Sequence, residues 1–145
     1  MRILCVCLGN ICRSPTAEAV IRAIGAGRGI EADSAGTGGW HVGDRPYGPA
    51  IQAAAARGYD LAPLRARRFL PEDFATFDLI LAMDRDNLAE IERQRPRGSA
   101  TPVRLILDYA PETGLEEVPD PYYTRDFEGT LDLIEAAARG LIRGV

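Results

Sequence analysis

The beginning of this chain constrains its fold most. Ile3-Leu4-Cys5-Val6 is a short apolar run, and Cys7-Leu8-Gly9-Asn10-Ile11-Cys12-Arg13-Ser14 follows it directly. Positions 2–7 read as a buried strand bounded by Gly9 and Asn10. Ser14 is expected as a helix N-cap with Pro15 at the first helical position. Ala17, Val20, Ile21 and Ile24 then repeat on one helical face. A strand, a tight loop and a helix N-terminus in that order make an anion cradle. The N–H groups of the loop and first turn have no acceptor inside the helix, and the helix dipole lies behind them. Gly9 is expected to supply the unusual backbone angles of the loop.

The rest of the chain repeats the strand–helix theme. Residues 30–35, 77–82 and 103–107 read as further strands, and 49–57, 84–94 and the stretch from Phe127 to Leu141 as helices. In the second helix Ile51, Ala54 and Ala55 are expected to face inward, with Gly58 as the stop. Alternating strands and helices imply an α/β chain with a four-stranded parallel, twisted sheet covered by helices on both faces. Ligands of such sheets bind beyond the carboxyl ends of the strands, where the opening loop lies. With 145 residues and no linker or repeat, residues 1–145 read as one domain.

The totals exclude several classes. A net charge of −4 gives no general pull toward nucleic acid or an acidic membrane. No apolar run reaches the roughly 18 residues of a membrane span, and the chain opens on a strand-like segment instead of a signal peptide. Cys5, Cys7 and Cys12 crowd into one segment, which is no disulfide framework and suits a reducing cytoplasm. No His lies near them and no second Cys pair follows, so no metal or other cofactor is expected. Arg65, Arg67 and Arg68 form a basic cluster, either a meeting point for an anionic substrate or a solvated face.

The loop carries more than an anion site. A thiol at Cys7 lies at its start and a guanidinium at Arg13 at its end, so one compact turn can place sulfur below a phosphorus atom. The planar fork of Arg13 then reaches the equatorial oxygens from the side. A cysteine at a helix N-terminus beside an arginine is a nucleophile's setting, and the Ser14 hydroxyl can steady its sulfur. The backbone N–H groups supply the remaining stabilisation without a metal. The Gly-x-x-x-x-Gly-Lys pattern of nucleotide-binding loops is missing. Splitting a phosphoester also needs an acid for the leaving oxygen. Asp120, in Val118-Pro119-Asp120-Pro121-Tyr122-Tyr123, is held between two prolines and followed by two aromatic rings. The single histidine, His41, lies in a Gly-rich loop and is expected to be solvated.

Taken together, Cys7-Leu-Gly-Asn-Ile-Cys-Arg-Ser-Pro-Thr-Ala-Glu18 and Asp120-Pro-Tyr-Tyr123 resemble the low-molecular-weight protein tyrosine phosphatases, and the resemblance runs over essentially the whole chain. It implies hydrolysis of phosphotyrosine in proteins through a phosphocysteine on Cys7. Asp120 would serve as general acid and then base, and Arg13 with the backbone from Leu8 through Gly9, Asn10, Ile11 and Cys12 to Arg13 would hold the phosphoryl oxygens. It further implies that Ser14 stabilises the thiolate and that Asn10 holds a strained loop backbone. Trp40, Tyr122 and Tyr123 would wall the substrate ring beside Ile11, and Cys12 would trap an oxidised Cys7 as a reversible disulfide. A tyrosine-phosphorylated protein is the implied partner, with a bacterial tyrosine kinase as one candidate. The chain is expected to be a monomer with weak self-association through exposed tyrosines.

Leu64 departs from the family pattern, where a histidine often braces the loop asparagine. Asn10 is therefore expected to turn to Ser14, Ser34 or water. Protein arginine phosphatases resemble this sequence too, except that a threonine usually stands at the position of Ile11. Arsenate reductases of this fold need further cysteines, and none follows Cys12. A catalytically inactive phosphoprotein-binding module is the remaining alternative, against which Cys7, Arg13 and Asp120 all stand.

Overall fold

The computed structural model describes residues 1–144. Four strands, β1 (Arg2–Cys7), β2 (Glu31–Gly36), β3 (Leu79–Ala82) and β4 (Val103–Leu105), form one sheet in the order β2-β1-β3-β4. Every neighbouring pair is parallel. The helices are α1 (Arg13–Ile24), α2 (Gly48–Ala56), α3 (Asp73–Thr76), α4 (Arg85–Arg93), α5 (Pro121–Thr124) and α6 (Phe127–Arg143).

Alternation along the strands sorts side chains onto two faces. Ile3, Cys5, Leu79 and Leu81 pack against Ala17, Val20 and Ile21 of α1 and Leu131, Ile134 and Ala138 of α6. Leu4, Val6, Ile80 and Ala82 pack on the other face with Phe69, Phe74, Phe77 and Ile91. Cys7 continues the Ile3–Cys5 series, so its sulfur emerges on the α1 side of the sheet. Arg57, just past α2, ties that helix to α6 through Glu128, Asp132 and Glu135.

The chain runs from β1 out to β2, then crosses back to place β3 on the other side of β1. The switch point thus lies between β1 and β3, the position where parallel sheets open a crevice at their carboxyl ends. The loops after these two strands carry residues 8–12, between Cys7 and Arg13, and Met83-Asp84.

The local differences from the sequence expectation have physical causes. Ser14 is not the N-cap of α1: the helix begins at Arg13, and Cys12, in the cap position, makes no side-chain cap bond. The Ser14 hydroxyl is engaged by Cys7 and Asn10 instead. Ala55 of α2 points outward, and Ala50 and Ala54 take the inner face. β3 starts at Leu79 because the Phe77 N–H closes the short helix α3 on Asp73. β4 ends at Leu105, where Ile106–Tyr109 tightens into a 3-10 turn under α6. The two four-residue helices, α3 and α5, lack the repeat that a periodicity reading needs.

Candidate active site

The loop between β1 and α1 is braced at its middle. Asn10, not Gly9, takes the left-handed backbone conformation, with φ at 57°. Asparagine tolerates that region better than other side chains with a Cβ, and here its amide is fully engaged. Nδ2 donates to Ser14 Oγ at 2.7 Å and to Ser34 Oγ at 3.0 Å, while Oδ1 accepts the Arg67 backbone N–H at 3.0 Å. Leu64 packs with Ala50, Ala54 and Leu61. Gly36, at the end of β2, lies so close beneath that a Cβ would approach Leu8 O to 2.9 Å.

These bonds set the direction of the hydroxyl next to sulfur. Ser14 Oγ lies 3.0 Å from Cys7 Sγ. Because it already accepts from Asn10, its own hydrogen is left to choose between the Ala35 carbonyl at 3.4 Å and the nearer sulfur, which is the stronger acceptor when it carries charge. The Asn10 N–H also points at Cys7 Sγ, at 3.3 Å. The N–H groups of Gly9, Ile11, Cys12 and Arg13 donate to no acceptor among the described residues. The cradle is therefore built and open.

Arg13 is fixed from behind. Its side chain is 4 % exposed, and Nη1 donates to Asp84 Oδ2 at 2.7 Å and to the Val118 carbonyl at 3.0 Å. Burial works against its charge, but Cys7, Asp84 and Asp120 outweigh that and hold the guanidinium above its ordinary value. Nη2 faces Asp120 Oδ2 at 3.5 Å. Asp120 itself caps α5, accepting the Tyr122 N–H at 3.0 Å, with Pro121 at the first helical position. The two prolines thus hold a cap residue whose second oxygen is turned toward the loop.

Cys7, Leu8, Ile11, Cys12, Arg13, Trp40, Asp120, Tyr122 and Tyr123 line one cleft of about 340 Å³, with Gly9 and His41. The three cleft aromatics stand out from the surface: Trp40 is 73 % exposed, Tyr122 46 % and Tyr123 75 %. Tyr122 is backed by Tyr47 and Tyr123 at ring separations of 5.2 and 5.3 Å. The floor, by contrast, is buried. Burial, with Cys7 and Asp120 adding to it, pushes the Cys12 thiol up to about 12, so it stays protonated at neutral pH. Cys5 is likewise pushed up by burial. No group of three or more potential metal ligands occurs among the described residues, and no described helix is long and apolar enough to cross a membrane.

The structure adds residues that the sequence reading left without a role. Asp84 pins Arg13 and also caps α4 through the Asn87 N–H at 2.8 Å. Its place immediately beyond β3 at the switch point was the available signal. Glu18 accepts the Ser34 hydroxyl at 2.7 Å and pairs with Arg22 at 2.8 Å, closing the chain of bonds behind Asn10. Burial raises its carboxyl above the usual range, against the opposing pull of Ser34 and Arg22. His41 stands at the cleft lip, with Nδ1 at 3.1 Å from Asp44. Of the basic cluster, Arg67 is held by Asp73 and Asp33, Arg65 donates to the carbonyls of Ala62 and Leu64, and Arg68 stands at a neighbouring groove.

Residues 2–145 match the family described as low molecular weight phosphotyrosine protein phosphatase. A curated relative from Synechocystis, named as a putative low molecular weight protein-tyrosine-phosphatase, is 49 % identical over 98 % of this chain and 94 % of its own length. The crystal structure of YfkJ from Bacillus subtilis superposes with a TM-score of 0.92 at 38 % identity, covering 99 % of this chain and 93 % of the other. A Drosophila arginine phosphatase superposes with a TM-score of 0.91 at 29 % identity, covering 99 % and 97 %.

Proposed function

The chain belongs to the low molecular weight phosphotyrosine protein phosphatase family, and from that premise we propose that it hydrolyses phosphotyrosine in proteins through a phosphocysteine on Cys7, with Asp120 as general acid and base. The observation that carries this reading is the convergence on one cleft of Cys7 Sγ, the open N–H groups of the loop, the pinned Arg13 and the Asp120 carboxyl.

In the first step the phosphate enters the cradle dianionic, and Arg13 and the loop N–H groups take its three free oxygens. The Cys7 thiolate attacks phosphorus as the bond to the tyrosine oxygen breaks, and Asp120 gives that oxygen its proton. Ser14 donates to the sulfur when it carries charge, at the start and again when it leaves. In the second step a water takes the place of the departed tyrosine. Asp120, now ionised, accepts its proton while oxygen attacks phosphorus and the S–P bond breaks, releasing inorganic phosphate and the Cys7 thiolate. Arg13 needs no reorganisation in either step, because Asp84 and Val118 already fix its plane.

The rim supports the choice of an aryl ester. Ile11 lines the cleft with Trp40, Tyr122 and Tyr123, and together they offer apolar surface to a flat ring. The likeness to an arginine phosphatase favours a second reading, a phosphoguanidinium substrate, which a polar residue at position 11 would suit better than isoleucine. A tyrosine-phosphorylated protein is the proposed partner, with a tyrosine kinase as its source, and the three free thiols fit a reducing cytoplasm.

The decisive assay compares wild type, Cys7→Ser and Asp120→Ala on p-nitrophenyl phosphate, phosphotyrosine peptides and phosphoarginine peptides. Wild type should turn over the aryl esters, Cys7→Ser should not, and Asp120→Ala should lose about 10²- to 10⁴-fold on phosphotyrosine. Faster hydrolysis of phosphoarginine than of phosphotyrosine would establish the second reading. An unchanged preference in Ile11→Thr would overturn the argument from the rim.

A further inference from the structure

A second groove, of about 630 Å³, lies against the first. Leu8 and Trp40 line both, so a single apolar ridge divides them. The ridge is seated by a glycine: a Cβ on Gly38 would meet the Trp40 ring at 1.8 Å. Beyond it, Arg68 lies over Gly39 on one wall, and Asp86, Asn87 and Glu90 of α4 form the other. This wall is anchored beside the phosphate site through the Asn87 backbone, because Asp84 accepts the Asn87 N–H with one oxygen and holds Arg13 with the other, and a change of the Asn87 side chain leaves that bond in place.

The charges of the groove nearly cancel. Glu90 is occupied by Arg93 at the end of α4 and by Gln94 just past it. Arg68 lines the other wall, where its charge also acts on Glu90, and neither Arg68 nor Asp86 makes an ion pair among the described residues. An ionic side chain entering here gains as much from one wall as it loses to the other. A dipole aligned between the walls gains from both. Asn87 adds the specific element. It is 3 % exposed, and its Oδ1 is buried without any hydrogen-bond partner. An acceptor in that state favours any incoming donor, and the soft χ2 of asparagine lets the amide turn to meet it.

Resting on the phosphotyrosine reading, we propose that this groove is a substrate subsite that holds the extended peptide main chain beside the phosphotyrosine. A peptide C=O would be directed to Arg68 and a peptide N–H to Asn87, with the chain crossing the Trp40 ridge. The groove then separates protein substrates from free phosphotyrosine and small aryl phosphates by their backbone, with little regard to flanking sequence.

The test measures kcat/KM of wild type, Arg68→Ala and Asn87→Ala on p-nitrophenyl phosphate and on a phosphotyrosine peptide. The same peptide is also assayed with single N-methylated amides on either side of the phosphotyrosine, and with Glu or Lys in the flanking positions. Both variants should keep the wild-type rate on p-nitrophenyl phosphate and lose roughly 3- to 30-fold on the peptide. N-methylation at one flanking amide should cost wild type a similar factor and add nothing in Asn87→Ala. Glu-for-Lys exchange should move the rate less than N-methylation does. Arg68 is exposed, so its replacement tests the groove even if Asn87→Ala folds poorly. Undiminished peptide turnover by Arg68→Ala overturns the proposal, as does a charge exchange that outweighs N-methylation. Absence of turnover of p-nitrophenyl phosphate by wild type would instead remove the phosphatase reading, and the subsite with it.

Discussion

The floor and the rim of the cleft are built on opposite plans. At the floor, Asn10, Arg13 and Ser14 are at most 3 % exposed, and each side chain is anchored by hydrogen bonds to named partners. At the rim, Trp40 and Tyr123 are about three-quarters exposed and held mainly by packing on one side. The difference separates two tasks. A transition state gains from donors that do not move, so the floor is over-determined. A protein substrate must be admitted and released, and the rim offers it apolar surface with few obligatory bonds. Asp120 stands between the two, a cap residue on a short helix with one oxygen turned to Arg13.

The contrast can be broken at several points. The largest effect is expected for Arg13→Lys, which keeps a charge but loses the planar fork and the pair of bonds that orient it. Activity on aryl phosphates should fall by about 10²-fold or more, in kcat as well as kcat/KM. A Lys variant within a few-fold of wild type would mean that the pinned geometry at the floor is unnecessary. Ser14→Ala should lower kcat by about tenfold, the worth of one bond to a charged sulfur, with little change in KM. Trp40→Ala and Tyr123→Ala should do the reverse, raising KM about 3- to 10-fold for peptides while kcat holds. A kcat loss in either rim variant as large as that of Ser14→Ala would erase the division between floor and rim.

The smallest expected effect concerns Glu18, behind the floor. Burial raises its carboxyl above the ordinary value, so the folded chain holds the proton more tightly than the unfolded chain. As pH rises from the ordinary carboxylate range through that raised value, the folded state binds more protons than the unfolded state. Stability therefore declines across that window, by at most about 1.4 kcal/mol per pH unit. Glu18→Gln keeps an acceptor for Ser34 and has no proton to lose. Its Tm should gain on that of wild type between about pH 4 and the raised value, then run parallel to it. Parallel curves throughout would show that the network behind Asn10 does not feel this charge.

Much of the floor was legible because it is local. Cys7, Asn10, Arg13 and Ser14 fall within one strand–loop–helix passage, and short-range geometry brings them together whatever the rest of the chain does. Even there, propensity misled twice. Ser14 looked like a cap and Gly9 like the flexible point, but the hydroxyl is engaged by sulfur and the left-handed residue is Asn10. The second outcome depends on side-chain bonds from Asn10 to Ser34 and to the Arg67 backbone, which lie 24 and 57 residues away. No local pattern announces such partners.

The sequence by itself determined the alternation of strands and helices, the parallel sheet and the anion cradle with its thiol and guanidinium. Periodicity and capping act over a few residues, and those features need nothing longer. Only the tertiary structure decided that Asp84 would pin Arg13 across 71 residues, that Asp120 would turn one oxygen toward the loop, and that Trp40 would stand as a ridge between two grooves. These follow from the crossing of the chain over β1, which brings the ends of β1 and β3 side by side. That crossing is a property of how the elements pack, and no single element carries it.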